Sequence, residues 1–311
     1  MKIIITGALG HIGSKLIRSI PEMFLGAEIV MIDDLSGQRY CSLFNLTQKG
    51  KYRFVEADVL TADLAPIFSG ADCVVHLAAI TNAAGSFEHV DQVEQVNYGG
   101  TERIANLCLD SGCPMLFIST TSVYGSQEEV VDENCPISDL KPQSPYASSK
   151  LKAEELLQAL GKTKGLKFIT CRFGTIFGIS EGMRFHTAVN KFCWQAVMGQ
   201  PITVWKTALH QKRPYLDLGD AVRAINFIIK KNMFDNEIYN VVTINSTVHQ
   251  IVEIIKKHVP KLHIEFVDSK IMNQLSYNVL GQKFELKGFQ FEGDMDRGIS
   301  DTLHLFNGIR R

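Results

Sequence analysis

The sequence predicts an α/β fold in which a parallel β-sheet is covered on both faces by helices. Short runs rich in β-branched residues recur along the first half of the chain, and stretches with helical periodicity separate them. Alternation of this kind is typical of parallel sheets. The predicted strands lie at residues 2–6, 28–32, 52–55, 72–77, 115–119 and 167–171.

A glycine turn follows the first predicted strand. Residues 2–13 read KIIITGALGHIG and run into a helical pattern over 14–20. Gly7, Gly10 and Gly13 permit a tight turn, a close backbone approach to a pyrophosphate and close packing of helix on strand. The helix N-terminus would face the anion. The motif predicts a dinucleotide site, although its spacing is GxxGxxG rather than GxGxxG and any α/β protein can contain a glycine turn.

Two acidic residues end the second strand. Asp33 and Asp34 stand about 20 residues after the glycine turn, where a carboxylate would accept hydrogen bonds from a ribose diol. A carboxylate at this place repels the 2′-phosphate of NADP. We therefore predict that the cofactor is NAD.

Strand, glycine turn, helix and acid in this order indicate a Rossmann-type, doubly wound parallel sheet. We expect residues 1–175 to form this NAD-binding domain, with late sheet elements near 215–245. Residues 176–311 would form a smaller α/β substrate-binding cap interleaved with it. The cap pattern predicts helices near 187–199, 219–231 and 247–258, a loop at 206–213 and a strand at 237–242, and it predicts no element for 260–311.

Composition narrows the class of partner. The chain has 311 residues, 45% of them hydrophobic, and a formal net charge of -1. This charge gives no electrostatic reason to bind nucleic acid or an anionic membrane, so the expected partner is a small molecule. No leader precedes the strand at residue 2 and no apolar run reaches ~18 residues, so we expect a cytoplasmic protein. The seven cysteines and nine histidines lack metal-ligand spacing, so no metal is expected.

A tyrosine and a lysine four residues apart suggest the chemistry. Ser144 suits a helix N-cap, and Gly161 suits the stop of the same helix. Tyr146 and Lys150 would then share one helical face. A phenol titrates near ~10, but a neighbouring cation lowers its pKa, so such a pair can exchange a proton with a substrate hydroxyl. The alternative is two solvated neighbours on a helix surface.

The order of these motifs resembles the extended short-chain dehydrogenase/reductases. More narrowly, it resembles the NAD-dependent nucleotide-sugar epimerase/dehydratase family, whose best-known member is UDP-galactose 4-epimerase. The resemblance covers about residues 1–245 and implies bound NAD and a nucleotide-diphosphate sugar substrate. The motifs that carry it are Gly7-x-x-Gly10-x-x-Gly13, Asp33, Asp58-Val59, HLAA at 76–79, STTSVYG at 119–125 and Tyr146-x-x-x-Lys150.

The resemblance implies a catalytic group of Thr120, Tyr146 and Lys150. Tyr146 would take the proton of a sugar hydroxyl while hydride leaves the same carbon. Lys150 would lower the tyrosine pKa and bind the nicotinamide ribose, and Thr120 would hydrogen-bond the reacting oxygen. Motif and resemblance together predict cofactor contacts at Gly7, Gly10, His11, Ile12, Gly13, Asp33, Asp34, Asp58, Val59, Leu77, Ala78, Ala79, Asn97, Tyr146 and Lys150.

Substrate contacts are implied at Thr121, Thr175 and Arg213. The arginine would grip the nucleotide diphosphate, and the alternative for it is a solvated basic turn. Thr175 replaces the family's Asn after Arg172, and an unusual loop at 180–186 follows, so contacts to sugar and base must differ from those of the galactose enzyme.

Family dehydratases carry an acidic residue directly after the catalytic Thr, but this chain has Thr121 and Ser122, which disfavours water elimination. We therefore expect an NAD-dependent nucleotide-sugar epimerase that forms a transient keto-sugar. The alternatives are a net oxidoreductase of a nucleotide-linked sugar and a non-catalytic NAD-binding protein.

Two predicted helices, at about 99–111 and 145–160, carry more apolar side chains than one sheet face needs. In the resembling family the equivalent pair meets its symmetry mate in a four-helix bundle. A two-fold interface is the commonest closed arrangement, so we expect a homodimer. The alternative is that these side chains pack only onto the chain's own sheet.

Overall fold

Strands and helices alternate through residues 1–125, 129–268, 277–306 and 308–309, the parts of the chain that the computed structural model describes. The strands are β1 (Lys2–Thr6), β2 (Glu28–Asp33), β3 (Lys51–Glu56), β4 (Cys73–His76), β5 (Met115–Thr120), β6 (Val130–Val131), β7 (Phe168–Phe173), β8 (Thr175–Phe177), β9 (Ile202–Trp205), β10 (Lys212–Asp217), β11 (Ile238–Val241), β12 (Ile244–Thr247), β13 (Ile264–Val267) and β14 (Asn278–Val279). The α-helices are α1 (His11–Met23), α2 (Ala65–Phe68), α3 (Val90–Glu94), α4 (Gly100–Ser111), α5 (Pro145–Lys164), α6 (Ala188–Val197), α7 (Leu218–Lys231), α8 (Val248–His258), α9 (Gln282–Glu285) and α10 (Met295–His304).

The central sheet has seven strands in the order β11-β7-β5-β4-β1-β2-β3. Every neighbouring pair in it is parallel. Because β1 lies between β2 and β4, the chain reverses its winding there, and a crevice opens at the carboxyl ends of these strands. The predicted Rossmann-type doubly wound sheet is confirmed.

Alternate residues of β1 show why the sheet needs helices on both faces. Ile3 and Ile5 pack into one buried cluster with Leu16 of α1 and Ile225 of α7. Ile4 points the opposite way, into a second cluster built largely from α2, α4 and α5. Successive side chains of a strand face opposite sides, so the apolar run is buried on both.

A third apolar cluster lies in the second half of the chain. Helices α6, α8 and α10 supply most of it, through residues such as Phe192, Ile251 and Ile299. Strands β8, β10 and β12 form a small mixed sheet, and β9 pairs with β13. The described parts of residues 260–311, for which the sequence predicted no element, form β13, β14, α9 and α10.

One predicted helix end was wrong. Gly161 was expected to stop α5, but the helix continues to Lys164 and ends at Gly165, which has a left-handed φ of 74°. A Cβ on Gly161 would lie 2.8 Å from the Phe168 ring, so this glycine allows close packing of the helix on β7. The predicted loop at 206–213 is also shorter, since β10 already begins at Lys212.

Among the residues of the described ranges, no helix is both long and apolar enough to cross a bilayer. Within the same ranges, no group of three or more histidine, cysteine, aspartate or glutamate side chains is arranged to hold a metal ion.

The apolar side chains of α4 and α5 pack largely onto their own sheet. Ile104, Leu157 and Leu160 are buried in the cluster beneath these helices, and Leu107 and Leu156 are half-buried against it. The leucines therefore already have partners within the chain.

The homodimer remains a prediction. Light scattering of the purified protein at micromolar concentration should give about twice the 34.7 kDa chain mass, because the half-buried face of α4 and α5 would be covered by its symmetry mate. A mass equal to that of one chain would show that these helices have no second partner.

Candidate active site

Most of the predicted cofactor and catalytic residues lie at one edge of the central sheet. The glycine turn follows β1, Asp33 ends β2, Leu77 follows β4 and Thr120 ends β5. Because these strands are parallel and adjacent, their carboxyl ends open into the same crevice.

The glycine turn is shaped for a dinucleotide. Gly7 has a φ of 66°, and a Cβ there would lie 2.6 Å from the backbone nitrogen of Ala78. A Cβ on Gly13 would lie 2.5 Å from the carbonyl oxygen of Ala8. The first turn of α1 contains no acidic residue, and Gly10 gives it no side-chain cap. Its amide groups therefore suit a pyrophosphate, and the residues fit NAD.

Both oxygens of Asp33 accept backbone hydrogen bonds. Oδ2 accepts from the amide of Leu9 in the glycine turn at 3.0 Å, and Oδ1 accepts from Leu35 at 3.0 Å. The carboxylate thus joins the end of β2 to the phosphate turn and stays beside the crevice. Burial raises its pKa, and the two amides oppose this effect. Asp34 is exposed and accepts from Ser36.

The neighbouring predicted contacts hold local turns. Asp58 accepts a hydrogen bond from the Leu60 amide at 2.8 Å, and Val59 is buried in the core. Leu77 and Ala78 donate their amides to Thr6. Ile12 is half-buried in the first turn of α1, and Ala79 is half-buried just beyond β4.

Asn97 lies in a π-helical turn, Gln95–Gly99, between α3 and α4. Single π turns inside helices often occur at functional sites. The Asn97 side chain accepts from the amide of Ile80 at 2.8 Å and donates to its carbonyl at 3.0 Å. It also donates to the Ser149 hydroxyl at 3.0 Å. Asn97 therefore ties the loop after β4 to α5, next to Lys150.

Helix α5 carries the tyrosine and the lysine as the sequence predicted. Ser144 caps it by accepting from the amide of Ala147, and Pro145 occupies the first turn. The Lys150 ammonium is buried and donates to the Ile118 carbonyl of β5 at 2.9 Å. Thr120 caps the short helical turn Thr121–Val123 by accepting from the Ser122 amide at 3.1 Å.

Thr120 and Tyr146 come within hydrogen-bonding reach of each other. Burial raises the pKa of Tyr146, whereas the guanidinium of Arg184 and the hydrogen bond with Thr120 lower it. The sequence predicted that Lys150 would be the cation that favours the phenolate. In this structure the arginine of the 180–186 loop has that effect.

A buried carboxylate lies one turn beyond Lys150. Glu154 accepts hydrogen bonds from Nε and Nη2 of Arg172 on β7, with the shortest distance 2.6 Å, and one from the Ser119 hydroxyl. Burial lowers the pKa of Lys150 to about 7, and the charge of Glu154 opposes that shift. Sequence reasoning missed Glu154, although its spacing of four from Lys150 was visible.

The segment after β8 packs directly on the glycine turn. The Gly178 carbonyl is 2.9 Å from Nε2 of His11, and the Ser180 hydroxyl donates to the His11 carbonyl at 2.9 Å. The Gly182 amide donates to the Ser14 hydroxyl at 2.9 Å. Burial lowers the pKa of His11 to about 3, and the Arg184 charge adds to this effect. His11 is therefore neutral at physiological pH and links the phosphate turn to the segment after β8.

Of the predicted substrate residues, Thr121 directly follows Thr120, and Thr175 and Arg213 lie on the paired strands β8 and β10. Thr121 donates to the Phe173 carbonyl at 3.3 Å, and Thr175 opens β8. Arg213 of β10 lies over the ring of Tyr277, with 5.8 Å between the guanidinium carbon and the ring centre. Arg213 and Tyr277 help to line a cleft with Ala83, Ser122, Gly125, Gln143, Ser144 and Ala147.

A wider groove of about 600 Å³ lies at the opposite edge of the sheet, where Lys2, Tyr52 and Asp72 line it. It is open and lies at the amino ends of the strands, away from Tyr146 and the glycine turn. The small cleft at Arg213 is therefore the better candidate for the substrate site, because parallel α/β sheets bind ligands at their carboxyl edge.

His76 is buried and has a structural place. Its Nδ1 is 2.7 Å from the Thr6 hydroxyl and its Nε2 is 3.2 Å from the Thr101 hydroxyl. Sequence reasoning missed Thr81 and the role of Arg184, because their pairing joins residues more than a hundred positions apart. No local spacing signals such a contact.

Comparison with known families decides the assignment. The profile of the NAD dependent epimerase/dehydratase family matches residues 3–241, well over half of the chain. The chain belongs to this family. The predicted resemblance is confirmed, and NAD, the predicted cofactor, is the cofactor on which the family depends.

Relatives within the family carry different activities in their names. A trifunctional UDP-glucose 4,6-dehydratase/UDP-4-keto-6-deoxy-D-glucose 3,5-epimerase/UDP-4-keto-L-rhamnose-reductase of Arabidopsis thaliana is 30% identical over 98% of this chain, which spans only 46% of that protein. A Bacillus subtilis protein named as an uncharacterized UDP-glucose epimerase is 30% identical over 78% of this chain and 76% of its own length.

Solved structures share the fold of this family member. A UDP-glucuronic acid 4-epimerase from Bacillus cereus superposes with a TM-score of 0.87 at 23% identity and 99% coverage of both chains. A dTDP-glucose 4,6-dehydratase from Streptomyces venezuelae gives a TM-score of 0.88 at 23% identity, covering 99% of this chain and 97% of its own.

Lys150 should make the stability of this family member depend on pH. The unfolded lysine keeps its proton to its ordinary pKa of 10.5, but the folded pKa is about 7. Between these values the unfolded state binds more protons, so the free energy of unfolding should rise with pH, by at most ~1.4 kcal/mol per pH unit for one group. Lys150→Met should lack this contribution.

Urea unfolding of cofactor-free wild type and of Lys150→Met is measured at about pH 7 and about pH 9. The change in the free energy of unfolding between the two pH values is compared for the two proteins, because groups that both proteins share contribute equally to it. The same pH dependence in both proteins would show that folding does not lower the pKa of Lys150.

Proposed function

We propose that the protein is an NAD-dependent epimerase of a nucleotide-linked sugar, which oxidises one carbinol carbon transiently and reduces the ketone from the other face. The observation that carries the proposal is the meeting of Thr120 and Tyr146 beside buried Lys150, at the same sheet edge as the glycine turn. A non-catalytic protein would have no need of all three residues.

Each residue of the catalytic group has one physical task. Tyr146, as phenolate, accepts the proton of the sugar hydroxyl and later returns it. Thr120 donates a hydrogen bond to the reacting oxygen as that oxygen becomes a carbonyl. Lys150 lies one helical turn from Tyr146 and would bind the nicotinamide ribose, whereas the charge that favours the Tyr146 phenolate is that of Arg184. Bound NAD supplies the acceptor for the hydride and its source on return.

The residues after Thr120 favour epimerisation over dehydration. Water elimination needs an acid and a base beside the keto-sugar, and Thr121 and Ser122 offer hydroxyls where a carboxylate would be required. Relatives named as epimerases and relatives named as dehydratases both occur, so this local chemistry is what supports the choice. The substrate would lie in the cleft beside Arg213, with its diphosphate on the guanidinium.

The proposal is tested with the purified holoprotein. Denaturation should release NAD, and UDP-, GDP-, dTDP- and CDP-sugars are then screened for conversion without added cofactor. An epimerase needs none, because each turnover restores NAD. Stoichiometric accumulation of NADH would instead indicate the alternative, a net oxidoreductase of a nucleotide-linked sugar.

Tyr146→Phe should lower kcat by about 10²–10⁴-fold while leaving NAD bound, because it removes the proton-transfer group but keeps the ring. Tyr52→Phe is the matched control, since Tyr52 lies at the opposite edge of the sheet and its hydroxyl has no partner among the described residues. A Tyr146→Phe enzyme within about threefold of wild type, at a pH where chemistry limits the rate, would remove Tyr146 from the catalytic group.

Asp33→Ala should narrow the preference for NAD over NADP by ~10-fold or more, because a hydrogen bond to a charged group contributes ~1.5–3 kcal/mol. Asp34→Ala is the comparison and should have a smaller effect, since its exposed carboxylate is bonded to Ser36. Binding of both cofactors is measured by calorimetry. Equally tight NADP binding by unmodified protein would contradict the assignment of this strand end.

A further inference from the structure

Arg184 is a charged residue that lies in the crevice, near Thr81 and Tyr146. The loop that carries it is fixed on the glycine turn through Ser180 and Gly182, so the side chain is directed into the crevice. Its Nη1 donates to the Thr81 hydroxyl in the loop after β4. Its charge also acts on the Tyr146 phenol, which places it next to the reacting end of the site.

The Arg184 guanidinium has no anionic partner in the described parts of the chain. No carboxylate there lies within ion-pair distance of it, and its Nε is buried without a hydrogen-bond partner. Burial lowers the pKa of Arg184 to about 10, and the nearby charge of Arg39 adds to the effect. Arg184 is half-buried, and a charge taken partly out of water without an opposite charge is costly, so we expect an anion to complete this site.

Three anions could meet this guanidinium: the cofactor pyrophosphate, the substrate diphosphate and an acidic group on the sugar. Their expected places differ. The cofactor pyrophosphate belongs at the start of α1, and the substrate diphosphate belongs in the cleft beside Arg213. The Arg184 charge does reach the glycine turn, where it acts on His11. That turn has a guanidinium of its own, however, because Nη1 of Arg39 lies 4.0 Å from where a Cβ of Gly10 would stand. Arg184 is instead bonded to Thr81. Tyr146 must reach the reacting hydroxyl, so a guanidinium that acts on Tyr146 would lie beside the sugar ring.

We propose that Arg184 binds a carboxylate on the sugar, so that the substrate is a nucleotide-linked uronic acid. This inference rests on the proposed function of the site. With Nη1 on Thr81, the Nε edge of the planar guanidinium is left for a carboxylate, whose two oxygens match the donor fork. A neutral hydroxymethyl group at the same carbon would leave the guanidinium without an anionic partner.

The test compares sugars that differ only in this group. UDP-glucose is paired with UDP-glucuronate, and UDP-galactose with UDP-galacturonate; dTDP-glucose is paired with dTDP-glucuronate. Calorimetry with Tyr146→Phe holoprotein measures binding, and unmodified holoprotein measures turnover. The acid of at least one pair should be preferred by ~10-fold or more.

Arg184→Gln should lower the preference for the acidic sugar by ~10-fold and keep the same NAD content. Arg184→Lys should retain part of the preference. Arg53→Gln, an exposed change on β3 at the opposite edge, is the control and should change neither property. Loss of NAD in Arg184→Gln would assign the arginine to the cofactor and overturn the inference.

The possible failures separate the two proposals. Equal use of acid and neutral sugars would overturn the carboxylate inference and leave the epimerase standing. Preferred binding of the acid without its conversion would support the inference and overturn the epimerase. Failure to bind any of these sugars would overturn both.

Discussion

The buried ion pair between Glu154 and Arg172 determines where the catalytic group lies. The two side chains are 2% and 3% exposed, and the pair joins α5 to β7. Removing one member of such a pair typically costs ~3–5 kcal/mol, although the net stabilisation by an intact pair is small. Its main effect is therefore positional. Because Glu154 also accepts from Ser119, the helix that carries Tyr146 and Lys150 is fixed against the strand that ends in Thr120.

The same network extends across the sheet. The guanidinium carbon of Arg172 lies 4.8 Å from the centre of the Tyr124 ring, and the Tyr124 hydroxyl donates to Asn240 of β11 at 2.8 Å. From the other side, Asn97 ties the loop after β4 to α5 through Ser149. Proton transfer needs sub-ångström placement of donor and acceptor, and rigid elements joined by buried polar contacts provide it.

The glycine turn and the segment after β8 are built as one unit. A Cβ on Gly182 would lie 2.4 Å from the Leu9 carbonyl oxygen. The 180–186 loop can therefore approach the glycine turn only because residue 182 has no side chain. The Ser180 hydroxyl donates to the His11 carbonyl, and Nε2 of His11 donates to the Gly178 carbonyl at the same contact. The contact between the glycine turn and the 180–186 loop therefore determines both the shape of the cofactor turn and the position of Arg184.

Much of this was visible in the sequence, for a definite reason. The turn at Gly7, the acid Asp33 and the pair on α5 depend on local spacing, and parallel strands bring their ends to one edge without further information. Gly161 was misjudged as a helix stop because a glycine that permits close packing looks the same in sequence. The contact of Arg184 with Thr81 depends on tertiary structure alone, and so does the role of Glu154 beneath Lys150.

The central claim is that one carbon of a nucleotide-linked sugar is oxidised and reduced again by the group around Tyr146. Mass spectrometry of the product formed in D₂O tests it most directly. We expect a product of unchanged mass with no solvent deuterium on carbon, because the hydrogen removed from that carbon returns to it. A product that has lost water and gained carbon-bound deuterium would show elimination instead, and would contradict the account.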